Sequence, residues 1–342
     1  MAPGAGLLMG RTVRALAAAG LAAAAAAVFP TVAKQVRALR AADRALLTPL
    51  AWAPLPIKLV APAARNRPLP ENVFPAGITG ERLTLPATSG RPPVSVVTYE
   101  RPDRPRPSGA LLWIHGGGYV LGDTTMDDDW CAKVARELNV LVVSVEYRLA
   151  PEHPFPAGLD DCHAALSWLV ELSRTLGVDQ DRIAVGGESA GGGLAAALVQ
   201  RAHDDGLPMC FQLLVYPMLD DRTVPRADAR GEWTLIWSPP SNRYGWTSYL
   251  GRDPGGAEDR PYAVPARRED LSGLPPAWIG VGTVDLFHAE DVAYAKRLRQ
   301  AGVDCDLYEV PGMFHAADRG SSNPGMVEFS RRKLDSLRPY LA

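Results

Sequence analysis

The sequence predicts an α/β fold: a mostly parallel, eight-stranded sheet with helices on both faces and a helical cap. Three observations predict it. Eight short apolar, β-branched runs recur after residue 80, and the later ones alternate with stretches of helical length. Two of the runs, Val140–Val145 and Leu213–Val215, are nearly all apolar, as central strands covered on both faces must be. One run, Arg182–Val185, leads through a glycine-rich turn straight into an alanine-rich helical stretch.

Size and composition fit this class. The chain has 342 residues, enough for one large domain or two ordinary ones. It is 47% hydrophobic and 22% charged, with a formal net charge of −2. No basic stripe with interleaved aromatics occurs, so nucleic acid is not an expected partner. The cysteines Cys131, Cys162, Cys210 and Cys305 are widely spaced and never form Cys-x-x-Cys. They read as reduced, mostly buried thiols, with a disulfide left open if the chain is exported. None of the histidines His115, His153, His163, His203, His288 and His315 stands in a metal spacing. Neither Gly-x-Gly-x-x-Gly after a strand nor a phosphate-binding loop is present. No metal and no nucleotide cofactor is expected.

Along the chain, residues 1–33 lack Lys, Asp and Glu, and Arg11 and Arg14 precede the alanine-rich run Ala15–Phe29. A signal peptide, an N-terminal anchor and an alanine-rich soluble helix all fit, with Thr31-Val32-Ala33 as the cleavage site in the first case. Export or membrane association is slightly favoured over a cytoplasmic location. From Lys34 to Trp52, Val36, Leu39, Leu46 and Leu50 recur at helical spacing between Arg37, Arg40 and Arg44. This predicts an amphipathic helix on the protein or on a membrane, so residues 1–50 are the segment through which a membrane would be met. Pro49, Pro54, Pro56, Pro62, Pro68 and Pro70 then predict an extended linker. Residues 34–78 are thus read as N-terminal helices and linker, and 79–342 as the α/β domain.

Within that domain strands are expected at 82–86, 94–99, 110–115, 140–146, 182–187, 211–216, 277–281 and 305–310. Helices are expected near 127–138, 158–175, 190–204, 288–301 and 325–340. Residues 217–275 are too long for one connection. They contain Trp233, Trp237, Tyr244, Trp246 and Tyr249, and are read as a helical cap insertion. These aromatics either shape a substrate pocket or merely pack the insertion on the core.

In open parallel sheets the chemistry sits beyond the carboxyl ends of the strands. Gly187-Glu188-Ser189-Ala190-Gly191 follows such an end and fits Gly-x-Ser-x-Gly in its strand–turn–helix setting. A serine hydroxyl needs a base, and the base needs a carboxylate to orient it and to balance its charge. Asp285 stands just past the run at 277–281, and His315 just past the one at 305–310, in the chain order serine, acid, histidine. Glu290 and Asp291 are the rival acids on the following helix, and His288 reads as a surface residue there. The glycines Gly116-Gly117-Gly118 follow the third strand. There, bare backbone N–H groups can approach an oxyanion, joined by the amide of Ala190.

Taken together, His115-Gly116-Gly117-Gly118, then Glu146-Tyr147-Arg148-Leu149-Ala150-Pro151-Glu152-His153-Pro154, then Gly187-Glu188-Ser189-Ala190-Gly191-Gly192, Asp285 and His315 resemble the bacterial hormone-sensitive lipase family of α/β-hydrolase carboxylesterases. The resemblance covers roughly residues 80–340, and it implies that 79–342 is the catalytic domain and that N-terminal cap helices within 34–78 join the insertion at about 217–275 in a cap. It implies a cofactor-free serine esterase with Ser189, Asp285 and His315 as catalytic residues and Gly117, Gly118 and Ala190 as oxyanion donors. It also implies that His115 and Gly116 brace the loop, and that Arg148 and Glu152 form buried polar links. Glu188, where many relatives carry Asp, would support the turn through hydrogen bonds or else face solvent. Two departures stand out: Ala289 in place of a second aspartate, and Ala316-Ala317 where Gly-Phe is common. The expected substrate is a small ester with a short to medium acyl chain. An amidase, lactonase or lipase on the same site, and a non-catalytic small-molecule binder, are the alternatives. Monomer and homodimer are both compatible.

Overall fold

The computed structural model describes residues 33–47, 57–65, 68–69, 71–72, 74–87, 92–230 and 234–342. The expectations for the signal or anchor segment before residue 33, for Pro49, Pro54, Pro56 and Pro70, and for Trp233 lie outside the described residues.

Eight strands form one sheet: β1 (Arg82–Leu85), β2 (Val94–Tyr99), β3 (Ser108–Ile114), β4 (Leu141–Glu146), β5 (Val178–Glu188), β6 (Phe211–Val215), β7 (Ala277–Gly282) and β8 (Cys305–Val310). Their spatial order is β1-β2-β4-β3-β5-β6-β7-β8. Only β2 runs against the others, pairing antiparallel with both β1 and β4. The parallel registers Ile114↔Gly187 and Gly187↔Leu214 bring the ends of β3, β5 and β6 level. Gly282↔Val310 does the same for β7 and β8. The loops after β3, β5, β7 and β8 therefore gather on one edge.

The helices are α1 (33–41), α2 (Ile57–Arg65), α3 (Asp128–Leu138), α4 (Ala157–Glu171), α5 (Ala190–Asp204), α6 (Thr223–Arg230), α7 (Pro239–Leu250), α8 (His288–Gln300), α9 (Pro324–Asp335) and α10 (Arg338–Leu341), besides a single helical turn at Ser173–Leu176. One apolar cluster packs α4, α5 and α8 on one sheet face. A second packs α3, α9 and α10 on the other. Helix α5 is buried almost throughout. Its Ala and Gly residues let it lie close on the sheet, and a Cβ at Gly191 would stand 2.1 Å from the Ile114 carbonyl oxygen. All four cysteines are free thiols, and Cys131, Cys162 and Cys305 are buried. Among the described residues no helix is long and apolar enough to cross a membrane.

Four expectations are corrected. The helix expected near 158–175 is divided at Leu172 into α4 and the turn Ser173–Leu176. The helix expected over Lys34–Trp52 stops at residue 41. Asp43 then caps a separate 3₁₀ turn, Arg44–Leu46, accepting from the Ala45 amide at 2.9 Å, while its own N–H bonds the Gly312 carbonyl at 3.0 Å. A local side-chain bond and a tertiary one override the helical period. Pro62 lies inside α2 instead of in an extended linker. Burial of Ile57 and Ala61 offsets the backbone bond it forgoes. The stretch expected as one helix over 325–340 is divided into α9 and α10, the latter opening with Pro339 near its start.

Candidate active site

Ser189 sits at the junction of β5 and α5 with φ 54° and ψ −121°, a strained backbone for a residue with a side chain. Tight packing imposes it: a Cβ at Gly187 would lie 2.4 Å from the Gly191 carbonyl oxygen. The Ser189 N–H is tied to Val215 O at 2.9 Å, and its carbonyl accepts from Gly193 and Met218. The hydroxyl therefore projects off the sheet edge from a fixed backbone.

His315 lies on the loop after β8. The edges of Tyr216 and Phe287 hold its ring at 4.9 and 5.2 Å between centroids. Its Nε2 is 2.8 Å from Ser189 Oγ, and its Nδ1 is 2.8 Å from Asp285 Oδ2. A carboxylate only accepts, so the Nδ1 proton points to Asp285 and the Nε2 lone pair is left for the serine hydroxyl. Asp285 Oδ1 accepts from the Phe287 N–H at 2.9 Å. All three side chains are buried.

The rival acids are committed elsewhere. Glu290 accepts from the Leu219 and Asp220 amides at 2.7 and 3.1 Å and from the Thr223 hydroxyl. Burial pushes its carboxyl up to about 8. Asp291 is buried, and neither of its oxygens has a hydrogen-bond partner among the described residues. Burial and the neighbouring Glu290 and Asp285 push it well above the usual range. His288 pairs with Glu309 at 2.6 Å, away from the serine.

On the loop after β3, Gly117 and Gly118 have φ of 118° and 62°. A Cβ at Gly118 would meet the Trp237 ring at 2.0 Å. The amides of Val120 and Leu121 both return to Gly117 O at 3.1 Å and close the turn. His115 stacks on Tyr147 at 4.3 Å, and its Nδ1 is 2.7 Å from Gly116 O. Gly116 leaves little room beside it, with Glu188 backbone and carboxyl oxygens 3.3 Å from an added Cβ. Ala190, the first residue of α5, is buried beside Ser189 with its amide at the positive end of the helix.

The insertion meets the site through Trp237, whose ring lies 6.4 Å from that of His315. Tyr249 instead stacks on Tyr119 at 4.1 Å, with Trp246 alongside. The two readings of the aromatics thus divide by residue. A cavity of about 370 Å³ opens beside Asp285 and Leu286, between α1 and Leu235 of the insertion.

Sequence reasoning missed several neighbours. Arg148 forms a polar link that is only partly buried, bidentate to Asp161 at 2.8–3.1 Å. Glu152 forms no buried link: its side chain is 56% exposed and pairs with Arg65 of α2 at 2.9 Å, because it stands on the outer turn after β4. Glu188 is buried, and its carboxyl reaches Arg319 and Tyr216 instead of the turn itself. Arg319, Tyr216 and Asp127 carry no local motif. Their only sequence signal is the proximity of Arg319 to His315 and of Tyr216 to the end of β6.

Known proteins resemble this chain over most of its length. A family model described as alpha/beta hydrolase fold matches residues 111–318. Esterase LipI of Mycobacterium tuberculosis is 36% identical over 271 residues, covering 78% of this chain and 80% of that one. An ethyl acetate hydrolase of Pseudomonas putida is 36% identical over 251 residues, covering 69% of this chain and 72% of that one. The solved structure titled Bacterial Heroin Esterase superposes with a TM-score of 0.79 at 35% identity, covering 89% of this chain and 99% of that one. The chain belongs to the alpha/beta hydrolase fold family and, within it, to the hormone-sensitive-lipase-like carboxylesterases, and is a carboxylic ester hydrolase.

Proposed function

We propose that the protein hydrolyses short- to medium-chain carboxylic esters through an acyl-enzyme on Ser189. The hydrogen-bonded line Asp285–His315–Ser189, at 2.8 Å for each link, carries the reading. Ser189 Oγ attacks the ester carbonyl while His315 Nε2 takes its proton. Asp285 orients the imidazole and stabilises its charged form. The amides of Gly117, Gly118 and Ala190 hold the oxyanion of the tetrahedral intermediate. His315 then protonates the leaving alcohol, and water repeats the sequence on the acyl-enzyme.

A small acyl group fits the crowding at Gly118, where the Trp237 ring fills the space above the loop. The printed name of the Pseudomonas putida relative, an ethyl acetate hydrolase, points the same way. The test is hydrolysis of p-nitrophenyl esters from acetate to palmitate by wild type and Ser189→Ala. Turnover greatest at short to medium chains and absent in the variant supports the reading. Turnover surviving in Ser189→Ala overturns it, and a palmitate optimum overturns the chain-length assignment.

A further inference from the structure

Glu188 is next to the nucleophile yet bonds across the site, to the loop that carries the base. Arg319 Nη2 bonds Glu188 Oε1 and, at 2.7 Å, Asp127 Oδ1, while its Nη1 bonds the Met126 carbonyl at 3.1 Å. Glu188 is the last residue of β5, and Asp127 sits in the turn that opens α3. Both carboxylates are buried, with side chains only 6% and 4% exposed. Asp127 is itself fixed from the other side by the Trp113 indole N–H at 2.8 Å.

Arg319 is rigidly tied to His315 through the backbone. Ala316 has φ 58°, and successive tight turns run from Phe314 O to Ala317 N at 3.2 Å and from Ala316 O to Arg319 N at 3.3 Å. Next to it, Asp318 Oδ1 meets the Tyr216 hydroxyl at 3.0 Å, and the Tyr216 ring is one of the walls holding His315. Lys333, buried over the Trp130 ring at 3.8 Å, lies 3.8 Å from Asp318 Oδ2. Asp127, Glu188, Asp318, Arg319 and Lys333 line a cavity of about 240 Å³.

From this we infer that Arg319 is a positioning residue: its guanidinium clamps the base-bearing loop to the nucleophile's own strand and fixes the His315–Ser189 distance. The inference rests on the proposed roles of Ser189 and His315. A planar guanidinium spans two carboxylates and a carbonyl at once, which a point charge does not. The clamp also neutralises charge. Asp127, Glu188 and Asp318 face Arg319 and Lys333. Without Arg319, the buried carboxylates of Asp127 and Glu188 would lose the cation bound to both, and the imidazolium form of His315 would gain stability. The titratable groups around His315 are Asp285 from the β7–α8 loop, Tyr216 after β6, Glu188 through Tyr216, and Asp318 and Arg319 on its own loop.

The test compares Arg319→Met, Arg319→Lys and Glu188→Gln in the full chain. Hydrolysis of p-nitrophenyl butyrate is measured per active site titrated with an organophosphate, with pH profiles of kcat/KM. Arg319→Met is expected to lower kcat about tenfold or more, with KM within about twofold. The acid limb of its profile is expected to move to higher pH, because a cation near the imidazolium is removed. Arg319→Lys should restore the acid limb but not the full kcat, because charge returns without the fork. Wild-type kcat per titrated site and an unmoved limb in Arg319→Met would overturn the clamp. If Arg319→Met does not fold, the same result in both Arg319→Lys and Glu188→Gln overturns it. Activity persisting in Ser189→Ala would instead remove the parent reading, whatever the Arg319 variants do.

Discussion

Glu290→Gln tests how the interior beside the acid is balanced. Two effects oppose each other at this carboxyl. Burial disfavours its charged form, while two backbone N–H groups and the Thr223 hydroxyl favour it. Burial wins, and the carboxyl is raised from 4.5 to about 8. The folded protein therefore holds a proton there that the unfolded chain releases above about pH 4.5. The contribution to stability is fully present below that pH and is lost as pH rises through about 8. Between those limits the native state binds one more proton, so stability falls by about 1.4 kcal/mol per pH unit. From pH 5 to pH 8 the loss from this group is about 4 kcal/mol. Gln keeps a carbonyl for the Leu219 and Asp220 amides, and Thr223 can turn to accept from its NH₂, so the fold should survive. Urea unfolding of both proteins at pH 5, 6, 7 and 8 measures the difference. The variant is expected to gain on the wild type by about 1.4 kcal/mol per pH unit. A constant difference across the range would mean that Glu290 is ionised in the native state. The reasoning that burial outweighs three donors would then be refuted.

Other consequences follow from the same interior. Asp291→Ala removes a buried carboxyl without partners among the described residues and replaces it with a strong helix former. Urea unfolding should show a gain of about 2 kcal/mol at pH 7, larger at pH 8 than at pH 5. Gly118→Ala places a methyl 2.0 Å from the Trp237 ring at a backbone φ of 62°. Its kcat/KM on p-nitrophenyl butyrate should fall by a factor on the order of 10² or more. Asp285→Asn keeps the shape but turns an acceptor towards His315 Nδ1 into a group that can also donate, which favours the wrong tautomer. A kcat loss on the order of 10⁴ at neutral pH is expected, and a loss of less than about tenfold would remove Asp285 from its role.

Much of the fold was legible because it is written locally. Val140–Val145 could be read as a buried strand, and Ala190–Asp204 as a helix, from runs of a few residues. Ser189, Asp285 and His315 could be picked out because each stands just beyond a strand, and the parallel registers level those strand ends. The clamp at Arg319 was not legible. Its partners Glu188 and Asp127 are 131 and 192 residues away, and nothing short-range encodes such a pairing. Glu188 could be read as a supporting residue, but not what it supports. The early end of α1 was missed for a related reason, since the Asp43–Gly312 bond is a tertiary contact. Pro62 misled because its local cost is real, while the burial that offsets it belongs to the whole fold. The family's frequent glycine after the histidine is Ala316 here, and it adopts φ 58°. Tertiary bonds of the loop hold that conformation without the glycine.

The measurement that bears most directly on the central claim is capture of the acyl-enzyme. The protein would be mixed with p-nitrophenyl butyrate, quenched in acid within the first turnover, and mapped by peptide mass spectrometry. The account predicts a single butyryl group on the Ser189 hydroxyl, absent in Ser189→Ala. A butyryl group on another side chain, or release of p-nitrophenol by Ser189→Ala at the wild-type rate, would contradict it.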